Sequence, residues 1–169
     1  MSSSSREQIL SRVRQNQPEP VALPEVPNFD RDLPSPVAAF TAALARMGGA
    51  VVDALHGGDL DAVIRERFVD ARVICSATPE VAGNRPIAGM HARELADVDV
   101  GVVRSAFGVA ETGSVWLSEA QFGLNALGFL PQHLVVLLDP GDIVPNLHHA
   151  YRQRGFFEAR YEGPVISTA

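Results

Sequence analysis

The residue best placed to do chemistry in this sequence is Glu111. It stands in the run Val102-Val103-Arg104-Ser105-Ala106-Phe107-Gly108-Val109-Ala110-Glu111-Thr112-Gly113-Ser114-Val115-Trp116-Leu117, a carboxylate among small and apolar neighbours directly ahead of Thr-Gly-Ser. A turn made with Gly113 lets backbone N–H groups come close to a ligand, and Thr112 and Ser114 add hydroxyls. Apolar surroundings raise a carboxyl pKa through desolvation unless a cation compensates, and Arg104 is the candidate cation. Such a carboxylate can act as a general acid/base or, in anhydride chemistry, as a nucleophile. It can equally pair with an arginine and simply hold the turn; spacing alone does not choose.

Other polar side chains fall into weaker patterns. His133 opens an apolar strand, and strand ends in open α/β sheets are where ligands bind. His148 and His149 are adjacent on a late helix, so their side chains diverge by about 100° and cannot chelate one metal from one face. A solvated or partner-facing role suits them better, with no acidic or cysteine companion at ligand spacing. His91 follows Gly89-Met90 in a loop, and His56 before Gly57-Gly58 reads as turn chemistry. The stretch Ser76-Ala77-Thr78-Pro79-Glu80-Val81-Ala82-Gly83-Asn84 follows a strand; its hydroxyls could bind an anion at the carboxyl edge of a sheet, but a plain connecting loop is favoured. Arg104 and Arg85 are the cations nearest these loops. A bidentate guanidinium suits a small carboxylate, while for Arg85 a surface salt bridge is the favoured role.

Composition narrows the chemistry further. The chain has 169 residues, 46% apolar and 20% charged, the profile of one globular domain with some excess. All fourteen of its basic Lys/Arg residues are arginine. Schiff-base chemistry, PLP tethering and a P-loop lysine are therefore excluded. The net charge of -6 disfavours nucleic acid as a partner. The lone Cys75 cannot make an internal disulfide, a CxxC pair or an iron–sulfur ligand set. No glycine pattern of the dinucleotide type is present. Neither a signal core nor a transmembrane run is visible, so a cytoplasmic protein is expected.

The elements that must position these residues follow from periodicity and caps. Ser4 and Glu7 have capping-box spacing, and Ile9, Leu10 and Val13 give residues 5–15 an apolar stripe. Positions 16–36 carry six of the twelve prolines and form a linker or an arm wrapping the body. Ser35-Pro36 starts a helix through Val37, Phe40, Leu44 and Met47, ended by Gly48-Gly49. Residues 50–52 read as a short strand. Asp59 caps a helix whose Leu60, Val63, Ile64 and Phe68 face the core, and residues 71–75 are the next strand. Further strands are expected at 98–105 and 114–118, with a buried central strand at 133–138 closed by Asp139-Pro140-Gly141. Residues 142–153 read as a helix with Pro145 in its first turn. The pattern is α/β, an open mainly parallel sheet with helices on both faces, behind an N-terminal extension over residues 1–36.

Ala110-Glu111-Thr112-Gly113-Ser114-Val115 resembles the A-E-T-G-[TS]-[VI] signature of the LUD-domain family, most like its short lactate-utilization protein C type. Asp99-Val100-Gly101-Val102-Val103 and Ala106-Phe107-Gly108-Val109 ahead of it agree. So does Leu130-Pro131-Gln132-His133-Leu134-Val135-Val136-Leu137, which is similar to the family's L-P-x-x-H-[IL]-V-[VL] segment. The resemblance covers most of residues 37–169. It implies a fold similar to the sugar-phosphate isomerase and CoA-transferase group, in a cytoplasmic system that oxidises L-lactate to pyruvate. It also implies partner proteins that carry the iron–sulfur clusters, with no cofactor in this chain. The single Cys75 fits that division of labour.

The chain departs from the family near its end. Gly163-Pro164-Val165-Ile166-Ser167-Thr168-Ala169 is similar to the start of the G-P-S-x-T-A-D-I-E segment, and the acidic pair and last strand do not follow. The α/β domain, residues 37–169, is thus expected to end short: either another chain supplies what is absent, or the site is incomplete, or the sequence is a shortened form, and a dimer or hetero-complex is expected. Two functions stand. In one, the chain is a non-redox subunit of a lactate-oxidising system that binds a small carboxylate or a partner near Glu111, through Arg104, Thr112, Gly113, Ser114 and His133. In the other, it is a self-sufficient transferase or isomerase of the CoA-transferase-like fold with Glu111 as nucleophile or acid/base.

Overall fold

The computed structural model describes residues 4–19, 21–29, 34–52 and 58–153. His56 and the final Gly163–Ala169 stretch lie outside these residues. Helix α1, Ser5–Gln15, begins on the capping box expected from sequence: Ser4 Oγ accepts the Glu7 N–H and Glu7 accepts the Ser4 N–H. It buries no side chain, leaving Ile9 and Val13 exposed. Helix α2, Pro36–Arg46, starts with proline in its first turn and is closed by Gly48 at φ 86°. Helix α3, Leu60–Arg67, is capped by the Asp59 side chain, which accepts the Ala62 N–H.

A four-stranded parallel sheet follows, in the order β2-β1-β3-β6. Its strands are β1 Ile74–Ser76, β2 Arg85–Pro86, β3 Val100–Arg104 and β6 His133–Leu137. The alternation of side chains sorts the core into two layers. Ile74, Val100, Val102, Val135 and Leu137 meet Ile64, Leu60 and Phe68 around α3. Cys75, Val103 and Val136 point the other way, against Leu95 and Leu127 on two 3-10 turns and Phe122 on α4, Glu119–Phe122. Both faces of the sheet are covered, as the sequence suggests.

A second sheet of three strands, β5-β4-β7, carries the turn of interest. Strand β4, Phe107–Val109, pairs antiparallel with β5, Ser114–Trp116, and parallel with β7, Ile143–Val144. Phe107 and Val109 face Ala150 of α5, Leu147–Ala150, while Gly108 leaves room for the Phe40 ring of α2. The buried Ser105 hydroxyl joins the two sheets, lying 2.8 Å from Phe107 O and 2.7 Å from Trp116 O.

Four expected elements differ. Residues 50–52 form no strand: Val51 and Val52 are half exposed, and no strand among the described residues takes their hydrogen bonds. The strand expected at 71–75 is confined to Ile74–Ser76, because the N–H groups of Arg72 and Val73 go to the Asp99 carboxylate instead of a ladder. Strand β6 is apolar but lies at the edge of its sheet among the described residues, with His133 and Leu134 exposed. The helix expected over 142–153 shrinks to α5. Residues 143–144 form strand β7 instead, and Ala110 and Glu111 donate their N–H groups to Val144 O (2.8 Å) and Pro145 O (3.0 Å).

Candidate functional site

The turn after β4 sets Glu111 beside α2. Gly113 has φ 70°, and a Cβ there would stand 2.4 Å from Leu44 N and 2.8 Å from Ala43 C. Glycine is needed both for the left-handed backbone and for contact with the helix backbone. Its N–H donates to Val109 O at 2.9 Å. The close approach expected of Gly113 is thus made to α2 rather than towards open space. Thr112 Oγ1 accepts the Ser114 N–H at 3.4 Å, so these hydroxyl residues build the turn behind the glutamate.

In front of Glu111 lies a groove of about 510 Å³. One wall is the face of α2 formed by Pro36, Ala39, Ala42 and Arg46, while Phe40 and Ala43 of the same helix are in the core. Spacings of three and four residues put those groove residues on one stripe. The other wall is Pro145, Asn146, Leu147 and His148, and Phe29 of the proline-rich arm closes one side. Glu111 is exposed, and its Oε2 accepts the Leu147 N–H at 3.3 Å. The groove therefore holds a carboxylate, a guanidinium and an imidazole on largely apolar walls, the usual composition of a small-molecule site.

Asn146 fastens the arm to this wall. It is buried and caps α5, its Oδ1 accepting the His149 N–H at 3.2 Å, while its Nδ2 donates to Asn28 O at 2.7 Å. The Phe29 ring lies 5.3 Å from the His148 ring, on a backbone with φ 50°. A non-glycine residue in that region is strained by about 1–3 kcal/mol, so the surrounding contacts must hold it there.

The remaining residues singled out in the sequence lie elsewhere. Arg104, at the end of β3, pairs with Glu80 and does not line the groove. The His133 ring lies 4.7 Å from the Phe68 ring, tilted by 30°, and the residue sits at the amino end of its parallel sheet, opposite Val100. Ligands of open parallel sheets bind at the carboxyl ends, so His133 and Glu111 do not converge. Arg85 forms the surface ion pair expected of it, with Asp97. This guanidinium holds the Asp97 carboxyl below the usual carboxylate range. The Val73 and Arg72 N–H groups do the same for Asp99. Burial pushes the Cys75 thiol up, against a smaller opposing effect of Arg85. No cluster of three or more His, Cys, Asp or Glu among the described residues could hold a metal ion. None of the described helices is long and apolar enough to cross a membrane.

Arg46, Asn146 and His148 were not recognised as site residues from sequence. Arg46 had a legible signal, the stripe of Pro36, Ala39 and Ala42 that it continues at spacings of three and four residues. Asn146 could have been read as the cap of a helix starting after Pro145. For His148 the pairing with Phe29 spans more than a hundred residues and left no local mark.

Comparison with known proteins agrees with this architecture. The LUD domain model matches residues 43–154. A crystal structure of a DUF162 family protein from Deinococcus radiodurans superposes with a TM-score of 0.60 at 18% identity, covering 69% of this chain and 76% of that one. At that identity the likeness concerns the fold. No curated protein matches the sequence.

Proposed function

The chain belongs to the LUD-domain family, and on that premise we propose that it is a non-redox subunit of a system that oxidises L-lactate to pyruvate. Its part is to bind a small hydroxy acid in the groove at Glu111. One observation carries the reading: a carboxylate and a guanidinium, Glu111 and Arg46, line the same largely apolar groove. A 2-hydroxy acid offers the complementary pair. Its carboxylate suits the Arg46 fork, and its hydroxyl can donate to the Glu111 carboxylate, whose Oε2 is already oriented by the Leu147 N–H. His148 stands on the same wall and can accept or return a proton. The redox step is assigned to iron–sulfur partner proteins, since a single buried Cys75 cannot ligate a cluster.

Calorimetric titration with L-lactate tests the binding. The chain should bind it saturably, and R46Q and E111Q should each weaken binding by about tenfold or more, the loss of one charge-assisted hydrogen bond. Unchanged affinity in both variants would remove the groove from the account. Reduction of a dye by L-lactate tests the division of labour. It should require the iron–sulfur partners, and oxidation by the purified chain alone would contradict it. Acyl transfer by the purified chain, abolished in E111Q, would replace this reading with a transferase.

A further inference from the structure

A second place in the fold gathers donors around a carboxylate, and no residue of the Glu111 groove takes part in it. From β1 the chain leads to β2, on one side of the parallel sheet; from β3 it leads eventually to β6, on the other. The gap between the carboxyl ends of β1 and β3 is therefore a topological switch point, where open parallel sheets bind ligands. At the end of β1, Ser76 Oγ donates to Thr78 O at 2.9 Å and accepts the Thr78 N–H at 3.2 Å, which bends the chain sharply. Thr78 is buried at 7% exposure, and its hydroxyl donates to Glu80 Oε2. From the end of β3, Arg104 Nε donates to Oε1 of the same carboxylate. Two donors from two strand ends thus converge on the two oxygens of one carboxylate group.

We propose that this switch point is a binding site for a small carboxylate, and that Glu80 occupies it from within the chain. The Glu80 side chain is 33% exposed, so it can swing into solvent without disturbing either core layer. Its departure leaves the Thr78 hydroxyl and the Arg104 Nε–H facing the place of a planar, two-oxygen acceptor. Arg104 is itself 45% exposed and open to a ligand. Binding is an exchange of one carboxylate for another, with no bond made or broken. The tethered glutamate competes at high effective concentration, which keeps affinity low until it is displaced.

Sodium acetate, followed by amide chemical shifts, provides the test. In E80A, acetate should bind at least about tenfold more tightly than in the wild type, because the tethered competitor is gone. The shifted amides should be those of residues 76–80 and 104–105. E80Q should gain in the same direction but less, since its neutral amide still accepts from Arg104; it replaces E80A if the alanine variant fails to fold. Adding R104Q to either variant should abolish the gain. Native-like spectra with no acetate response at residues 76–80 would overturn the proposal, as would equal affinity with and without Arg104. Inorganic phosphate binding as tightly as acetate would overturn the carboxylate class.

Discussion

Replacing Gly113 by alanine should destabilise the protein and spread α2 from the Glu111 turn. Two effects add. A Cβ at φ 70° brings the left-handed strain of a non-glycine residue, about 1–2 kcal/mol. The same Cβ would stand 2.4 Å from Leu44 N and 2.8 Å from Leu44 Cα, both backbone atoms of a helix held to the core by buried Phe40 and Ala43. Forcing that contact apart is an overpacking cost of about 1–3 kcal/mol. The sum, roughly 2–5 kcal/mol, lowers Tm by roughly 4–20 °C for a chain of this size. Gly48 supplies the control. It also has positive φ, 86°, but a Cβ there meets nothing within 4 Å. Gly48→Ala should show the strain alone, about 1–2 kcal/mol. Thermal denaturation of the two variants followed by circular dichroism separates the effects. Equal shifts in Tm would refute the close approach of the turn to α2. The groove would then lack the wall that sets Arg46 beside Glu111.

Three further outcomes follow from the same structure. Asp97 and Asp99 both have folded pKa values held below the ordinary range, so each protonates more readily in the unfolded chain. Their contribution is full above the unfolded carboxylate pKa of about 3.9 and is lost as pH falls through the folded values. D99N should therefore flatten the loss of stability below about pH 4; denaturation curves with the same pH dependence as the wild type would contradict this. Asn146→Ala removes the α5 cap and the donor to Asn28 O, a loss of about 1–3 kcal/mol. Limited proteolysis should then cut the arm before Phe29 faster, and an unchanged cleavage rate would mean that Asn146 does not hold it. Cys75, buried with its thiol pKa raised, should react with a thiol reagent only as fast as the fold opens. Reaction at the rate of the denatured chain would contradict the packing of β1.

Much of the parallel sheet was legible because its signals are local. Ser4 with Glu7 and Asp59 mark helix starts through side-chain caps and Pro36 through its place in the first turn, and α1, α2 and α3 begin where these residues stand, although Ser35 makes no side-chain cap hydrogen bond. The apolar runs behind β3 and β6 are five residues each, long enough to read as strands. Position in the sheet was not legible: β6 is as apolar as a central strand, yet among the described residues it pairs with β3 alone. The second sheet is harder still. Strand β5 lies within the strand expected at 114–118, but β4 and β7, of three and two residues, carry too little alternation to be seen, and β7 lies beside β4. The site divides in the same way. Glu111-Thr112-Gly113 was visible as a compact motif, whereas the residues that share its groove come from α2, the arm and α5. The partnership of Arg104 with Glu80 instead of Glu111 likewise depends on strand order, which no local spacing records.

A crystal structure grown with L-lactate addresses the groove most directly. The ligand should lie between α2 and the Pro145–His148 wall, its carboxylate on the Arg46 guanidinium and its hydroxyl within hydrogen-bond distance of Glu111. A saturating L-lactate soak that left the groove empty, or placed the ligand away from Arg46 and Glu111, would contradict the account.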